Sequence, residues 1–219
     1  MRIYAFVDGE SHYTRTLAAF RHAHGEDANI ATAKHKISST GSAAFPNGAL
    51  PYIRLLPSAK FLWDVHYPFL APGSLNGRAI EHAEYFTATS GDQEAFHNAC
   101  VTIRAHGFTP HVAHEPTQLA SRRAERRESL NLLEKAKGVD IGLSVQLLEG
   151  AYHNNFDICY VFTSDIDFLP AIQVVQRMGK KVVVFGYESG LSAHSKLRYV
   201  PDAFVDLSTH VASCYVPAS

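Results

Sequence analysis

The chain has 219 residues, 46% hydrophobic and 19% charged, which fits one globular α/β domain and excludes wholesale disorder. Its formal net charge of -1 gives no global signature of a nucleic-acid binder, although an acidic metal site can offset a local basic patch. Cys100, Cys159 and Cys214 lie far apart, form no C-x-x-C pair and argue against a disulfide framework.

Cys100 and Cys159 sit in apolar stretches, where a free cysteine is usually a small core residue. The opening Met1-Arg2-Ile3-Tyr4 lacks a signal-peptide apolar region, and no apolar run is long enough to span a bilayer. A reduced, cytoplasmic protein without a membrane partner is therefore expected. Among the 13 histidines, His22 with His24 and His111 with His114 form pairs. Neither pair recurs with cysteines at zinc spacing, so surface or capping roles are expected.

In chain order, residues 2–7 read as a strand that ends in Asp8-Gly9. Residues 11–24 follow as a helix, with Leu17 and Phe20 at helical spacing and Gly25 as its stop. Residues 26–76 hold five prolines and three glycines, a density that favours loops and short strands over a second domain. Within them, 50–56 and 60–67 suggest a hairpin. A strand over 83–90 resumes the alternation. It leads to a helix over 93–106 with Phe96, Cys100 and Ile103 on one face, and to a strand over 108–114. A charged helix or arm is expected over 120–135, and a helix over 140–153 carrying Ile141, Val145 and Leu148. The last third predicts a strand over 157–163, a helix over 168–178 closed by Gly179, and a strand over 181–185. A short helix over 192–198 and a strand over 203–207 complete it. Apolar strands alternating with helices mean an α/β fold: three layers, with a mostly parallel central sheet flanked by helices.

Sites in open parallel sheets form beyond the carboxyl ends of the strands. Asp8 follows the first strand, Asp165 and Asp167 follow the strand over 157–163, and Asp140 opens a helix. Singly, each is explained by a turn or an N-cap. Converging on one edge, four carboxylates repel one another and call for a cation. A hard divalent ion such as Mg²⁺ or Mn²⁺, with oxygen ligands and room for a phosphate, meets that need.

The segments FVDGE, KGVDIGLSVQLL, YVFTSDIDFLPAIQVVQRMGKKVVVFG and SKLRYVPDAFVDL stand in the order found in NYN-domain proteins. The chain resembles the LabA/DUF88-like branch of that family, within the PIN-like nuclease group, from Met1 to about Leu207. The resemblance implies a PIN-like (Rossmann-like) fold and metal-dependent cleavage of RNA. Asp8 matches the family's first-strand aspartate, Asp140 that of K-G-V-D, and Asp165 and Asp167 the pair in S-G-D-x-D-F. Asp8, Asp140 and Asp165 are then metal ligands. Asp167 either binds through water or orients the attacking water.

Three positions depart from the family pattern. Glu10 stands where an asparagine is usual, Gln146 replaces a common aspartate, and Ser164 replaces a glycine. Glu10 and Ser164 remain candidate accessory residues. The alternative is a non-catalytic module, binding RNA or a protein, whose site has degenerated. A Toprim-like site is disfavoured by K-G-V-D, and a dinucleotide site by the missing G-x-G-x-x-G. Arg122, Arg123, Arg126 and Arg127, with Lys137 nearer Asp140, suit either a solvated helix face or an arm that grips RNA phosphates. Tyr13 and Arg15 are expected to be ordinary exposed residues, with substrate contact as the alternative. Oligomeric state is open, a homo-oligomer included.

Overall fold

The computed structural model describes residues 1–28, 34–35, 53–54, 64–65, 80–105, 108–116, 137–208 and 215–216. Its centre is a six-stranded parallel sheet. The strands are β1 (Ile3–Asp8), β5 (His82–Gly91), β6 (Thr109–Pro116), β7 (Ile158–Phe162), β8 (Lys181–Gly186) and β9 (Ala203–Asp206). Between β1 and β5 lie three short strands, β2 (Lys34–His35), β3 (Ile53–Arg54) and β4 (Asp64–Val65). β3 and β4 pair antiparallel, where the sequence suggests a hairpin, and β2 pairs with β10 (Tyr215–Val216).

The strand order is β6-β5-β1-β7-β8-β9. The chain builds outward from β1 on one side, then crosses to β7 and builds outward on the other. The reversal lies between β1 and β7, where a crevice opens beyond the strand ends. In register, Val7 stands opposite Phe162, and Asp8 opposite Phe86.

Period-two alternation sends the side chains of β1 to two cores. Ile3, Ala5 and Val7 join Phe20, Ile103, Tyr160 and Phe185 under helices α1 (Gly9–His24) and α2 (Gln93–Ala105). Phe6 joins Phe86, Leu143, Val161, Ile172 and Val184 under α3 (Lys137–Tyr152) and α4 (Leu169–Arg177). β7 is buried on every residue, as a strand covered on both faces must be. Cys100 and Cys159 are buried and free. After α4, Gly179 takes φ 79°, the left-handed turn that glycine adopts at no steric cost.

One helix shows which of its faces is buried, and one expectation is corrected. Helix α3 buries Val139, Leu143, Leu147 and Ala151, whereas Ile141 and Val145 are 64% and 50% exposed. The helix is apolar on several sides, so its pattern carries no phase, and the sheet beneath selects the face. The expected helix over 192–198 contracts to a single 3₁₀ turn, Lys196–Arg198, preceded by another at Glu188–Gly190. The charged segment over 120–135 lies outside the described residues.

Candidate active site

Asp8 ends β1 and serves as N-cap of α1, its Oδ1 accepting from the backbone N–H of Ser11 at 3.2 Å. By the alternation of β1 it shares a face with Phe6, the face that α3 covers. Its Oδ2 accepts from Thr163 Oγ1 at 2.8 Å, and Thr163 Oγ1 in turn accepts from the Asp165 N–H at 3.0 Å. Thr163 follows β7, so one hydroxyl spans the crevice and ties the first carboxylate to the loop that carries the third.

Close approach makes this possible. A Cβ on Gly9 would lie 2.5 Å from the Tyr85 ring and 2.8 Å from the Phe86 carbonyl oxygen. A Cβ on Gly186 would lie 2.7 Å from the Thr163 carbonyl oxygen and 3.0 Å from Ser164 Oγ. Ser164 itself is a clasp. Its N–H donates to Ser11 Oγ at 3.2 Å, and its Oγ accepts from the Tyr187 N–H at 3.0 Å. The Thr16 hydroxyl and the Tyr187 phenol bond to each other below, fastening α1 to the residue after β8.

Asp8 is only 3% exposed, and its pKa is pushed up to about 7. Burial is the largest cause; the negative charges of Asp140 and Asp165 add to it, against the lowering by Thr163 and Ser11. Asp8, at the end of β1, thus feels the negative charge of Asp140 on α3 and of Asp165 in the loop after β7. Asp140 lies half-buried in the first turn of α3. Asp165 is half-buried, and its Oδ1 caps a 3₁₀ turn (Ile166–Phe168) by accepting from the Asp167 N–H at 3.0 Å. Asp167 is exposed on that turn. The cap roles that explain these residues singly are realised at Asp8 and Asp165, alongside the shared electrostatics.

As donors, the carboxylate oxygens fit a hard divalent ion. In position, no three His, Cys, Asp or Glu side chains among the described residues are grouped so that they could hold a metal ion.

Beside Asp165 opens a cleft of about 410 Å³. The first turns of α1 supply Glu10, Ser11, Thr14 and Arg15; the loop after β7 supplies Ser164, Asp165 and Ile166; Leu191, Ser192 and Ser195 complete the lining. Arg15, expected to be an ordinary surface residue, lines this cleft, whereas Tyr13 packs partly buried against the core. The sequence reasoning passed over Ser11, Thr163 and Ser195. Only Ser11 carries a signal, its N–H lying at the N3 position that an N-cap aspartate binds.

Lys137 is the first residue of α3, its side chain outside the described residues, as are Arg122, Arg123, Arg126 and Arg127. Gln146 lies further along α3, its amide 3.5 Å from Glu149. Of the histidine pairs, His111 is not a plain surface residue: its Nε2 stands 2.9 Å from Glu84, and its ring stacks on Phe86. His114 leans on Phe96, and His24 on Phe20. Burial holds His12 neutral, its pKa pulled down to about 3.

No helix among the described residues is long and apolar enough to cross a membrane. Over 57 residues the chain is 42% identical to an uncharacterized protein of Methanocaldococcus jannaschii, a stretch that covers 26% of this chain and 24% of that protein. The chain thus spans about a quarter of the length of that relative. A crystal structure of a protein of unknown function from Vibrio parahaemolyticus is similar at 19% identity and a TM-score of 0.49, covering 94% of this chain and 92% of the other. The family model of the NYN domain matches residues 50–208, a span that includes Asp140, Asp165 and Asp167 and leaves Asp8 outside it. The match extends over most of the chain, which belongs to the NYN domain family.

Proposed function

We propose that this NYN protein, of the LabA/DUF88-like branch, is a metal-dependent ribonuclease that hydrolyses RNA phosphodiester bonds, acting in the cytoplasm as one domain elaborated over residues 26–76. The observation that supports the reading is the negative charge of Asp140 and Asp165 felt at Asp8, which ends β1 beside the topological switch point of the sheet. A carboxylate that burial chiefly, and neighbouring negative charge in addition, keeps from ionising until near neutrality takes a proton, or would take a cation in its place.

Asp8, Asp140 and Asp165 would hold Mg²⁺ or Mn²⁺, with side-chain adjustment to bring their oxygens together. A bound ion of this kind supplies Lewis acidity toward phosphoryl oxygens and lowers the pKa of water. Thr163 fixes the Asp8 carboxylate against the loop of Asp165, so that neither must be ordered when substrate arrives. Exposed Asp167 orients the attacking water, Glu10 is an accessory carboxylate on the cleft wall, and Lys137 with Arg122, Arg123, Arg126 and Arg127 grips the RNA backbone.

The test is cleavage of single-stranded RNA by purified protein with Mn²⁺, beside an Asp165→Asn control. Cleavage that needs Mn²⁺ and is lost in Asp165→Asn supports the reading; cleavage that survives the substitution sinks it. Gln146, an amide where the family commonly has a carboxylate, favours a second reading as a non-catalytic binding module. RNA binding insensitive to chelator, with no cleavage, would select that one.

A further inference from the structure

The solvent side of α3 carries a surface that the ribonuclease reading leaves unused. Ile141, Val145 and Tyr152 are 64%, 50% and 76% exposed, and Leu148 is half-buried among them. Spacings of four, three and four residues set each beside the next on one helix face, in the rhythm of a coiled-coil seam. Single exposed apolar residues are ordinary, whereas a contiguous row marks a contact surface. A helix that is apolar on its outer side as well as its inner one is built to be covered on both.

Charge and shape select a second copy of this chain as the cover. Of the charged side chains described on α3, half-buried Asp140 acts on Asp8, and Glu149 alone borders the row. The row therefore calls for no partner of opposite charge and can meet itself. In an antiparallel pairing about a two-fold axis at Val145, the two copies of Glu149 stand eight residues apart along the helices. That is about 12 Å, beyond a Debye length, so they do not repel. The same axis sets Tyr152 of each copy over Gly138 of the other, since both lie seven residues from Val145. Gly138 is exposed, and nothing lies within 4 Å of where its Cβ would sit, which leaves a notch for the ring. Four side chains bury less than the roughly 800 Å² per partner of a standard interface, so the association is weak and follows concentration.

We propose that the chain pairs with a second copy of itself through α3, antiparallel about a two-fold axis at Val145, with the partner's Tyr152 seated on Gly138. The proposal stands apart from the ribonuclease reading. Its consequence for the candidate site is that pairing reaches the K-G-V-D turn, two residues short of Asp140.

The experiment is sedimentation velocity of the full chain from roughly 10 to 500 µM, where the weight-average mass should rise toward twice that of the chain. Val145→Glu places two carboxylates on the axis and should weaken pairing by about a hundredfold. Tyr152→Ala should weaken it by about tenfold. The register is read by oxidative cross-linking above the wild-type background. Val145→Cys meets its own copy and forms a disulfide dimer, whereas Ser144→Cys, turned about 100° round the helix, does not. Thermal melts that match wild type establish that each variant folds. A monomer at every concentration overturns the proposal, as does a dimer that persists in folded Val145→Glu. Equal cross-linking of Ser144→Cys and Val145→Cys overturns the pairing. A monomeric chain that Val145→Glu destabilises as a core change would do so too, and assigns the cover to another part of the same chain.

Discussion

The hydroxyl of Thr163 stands 2.8 Å from Asp8 Oδ2 while accepting the Asp165 N–H at 3.0 Å, so one side chain serves two of the three interacting carboxylate residues. Thr163→Val keeps the shape and removes both bonds. A buried carboxylate oxygen and a backbone N–H then lack partners, at a cost of about 1–3 kcal/mol in urea unfolding. Any RNA cleavage should fall by about tenfold or more, as for other residues that orient ligands. Thr163→Ser should restore most of both. A Thr163→Val protein as stable and active as wild type would show that the bridge is incidental.

The raised pKa of Asp8 sets a pH dependence whose sign is opposite to that of a salt-bridged aspartate. The folded protein holds this proton more tightly than the unfolded chain, from 3.8 up to about 7. Its contribution is therefore full below 3.8, is lost as pH rises through that window, and is flat above it. The whole change is on the order of 4 kcal/mol. Urea unfolding in EDTA across this range, for wild type and Asp8→Asn, isolates it as a difference. The stability advantage of Asp8→Asn over wild type should grow with pH. A difference that shrinks with pH would contradict the burial.

Two glycines near the site should respond in opposite directions to alanine. At Gly9 the added carbon meets the Tyr85 ring and the Phe86 carbonyl, and a backbone oxygen cannot step aside. Gly9→Ala should cost about 1–3 kcal/mol and displace Asp8, its neighbour in the chain. At Gly138, in K-G-V-D, nothing lies within 4 Å of the added carbon, and the residue is helical. Gly138→Ala should be neutral or stabilise by up to about 1 kcal/mol. Denaturation midpoints of the two variants decide both.

On α3, Leu143→Ala should cost about 2–5 kcal/mol, since Leu143 is fully buried against the sheet. Ile141→Gln, on the opposite side, should stay within about 0.5 kcal/mol of wild type. Equal losses would mean that both faces of the helix are covered.

The contrast within α3 marks where the sequence stops being informative. The parallel strands were legible because β7 and β8 are short, apolar and β-branched or aromatic, and because glycines punctuate the helices between them. The positions of Asp8, Asp140 and Asp165 were legible because each sits where a strand ends or a helix begins. The phase of α3 was not, since exposed Ile141 and Val145 are spaced as regularly as buried Leu143 and Leu147. Only the sheet distinguishes them. Thr163 and Ser195 were not legible either. A single hydroxyl carries no pattern, and what makes each matter is a neighbour more than thirty residues away or a cleft wall. Arg15 was visible as a charge in an amphipathic helix, but not as one that faces a cavity.

The place of β1 has a consequence for any shortened form of this protein. The family match begins at residue 50, yet β1 holds β5 on one side and β7 on the other. A fragment trimmed to the matched span would not be a smaller version of the fold. It would be two half-sheets with raw, apolar edges facing each other across an empty lane, inviting a strand from any neighbouring molecule.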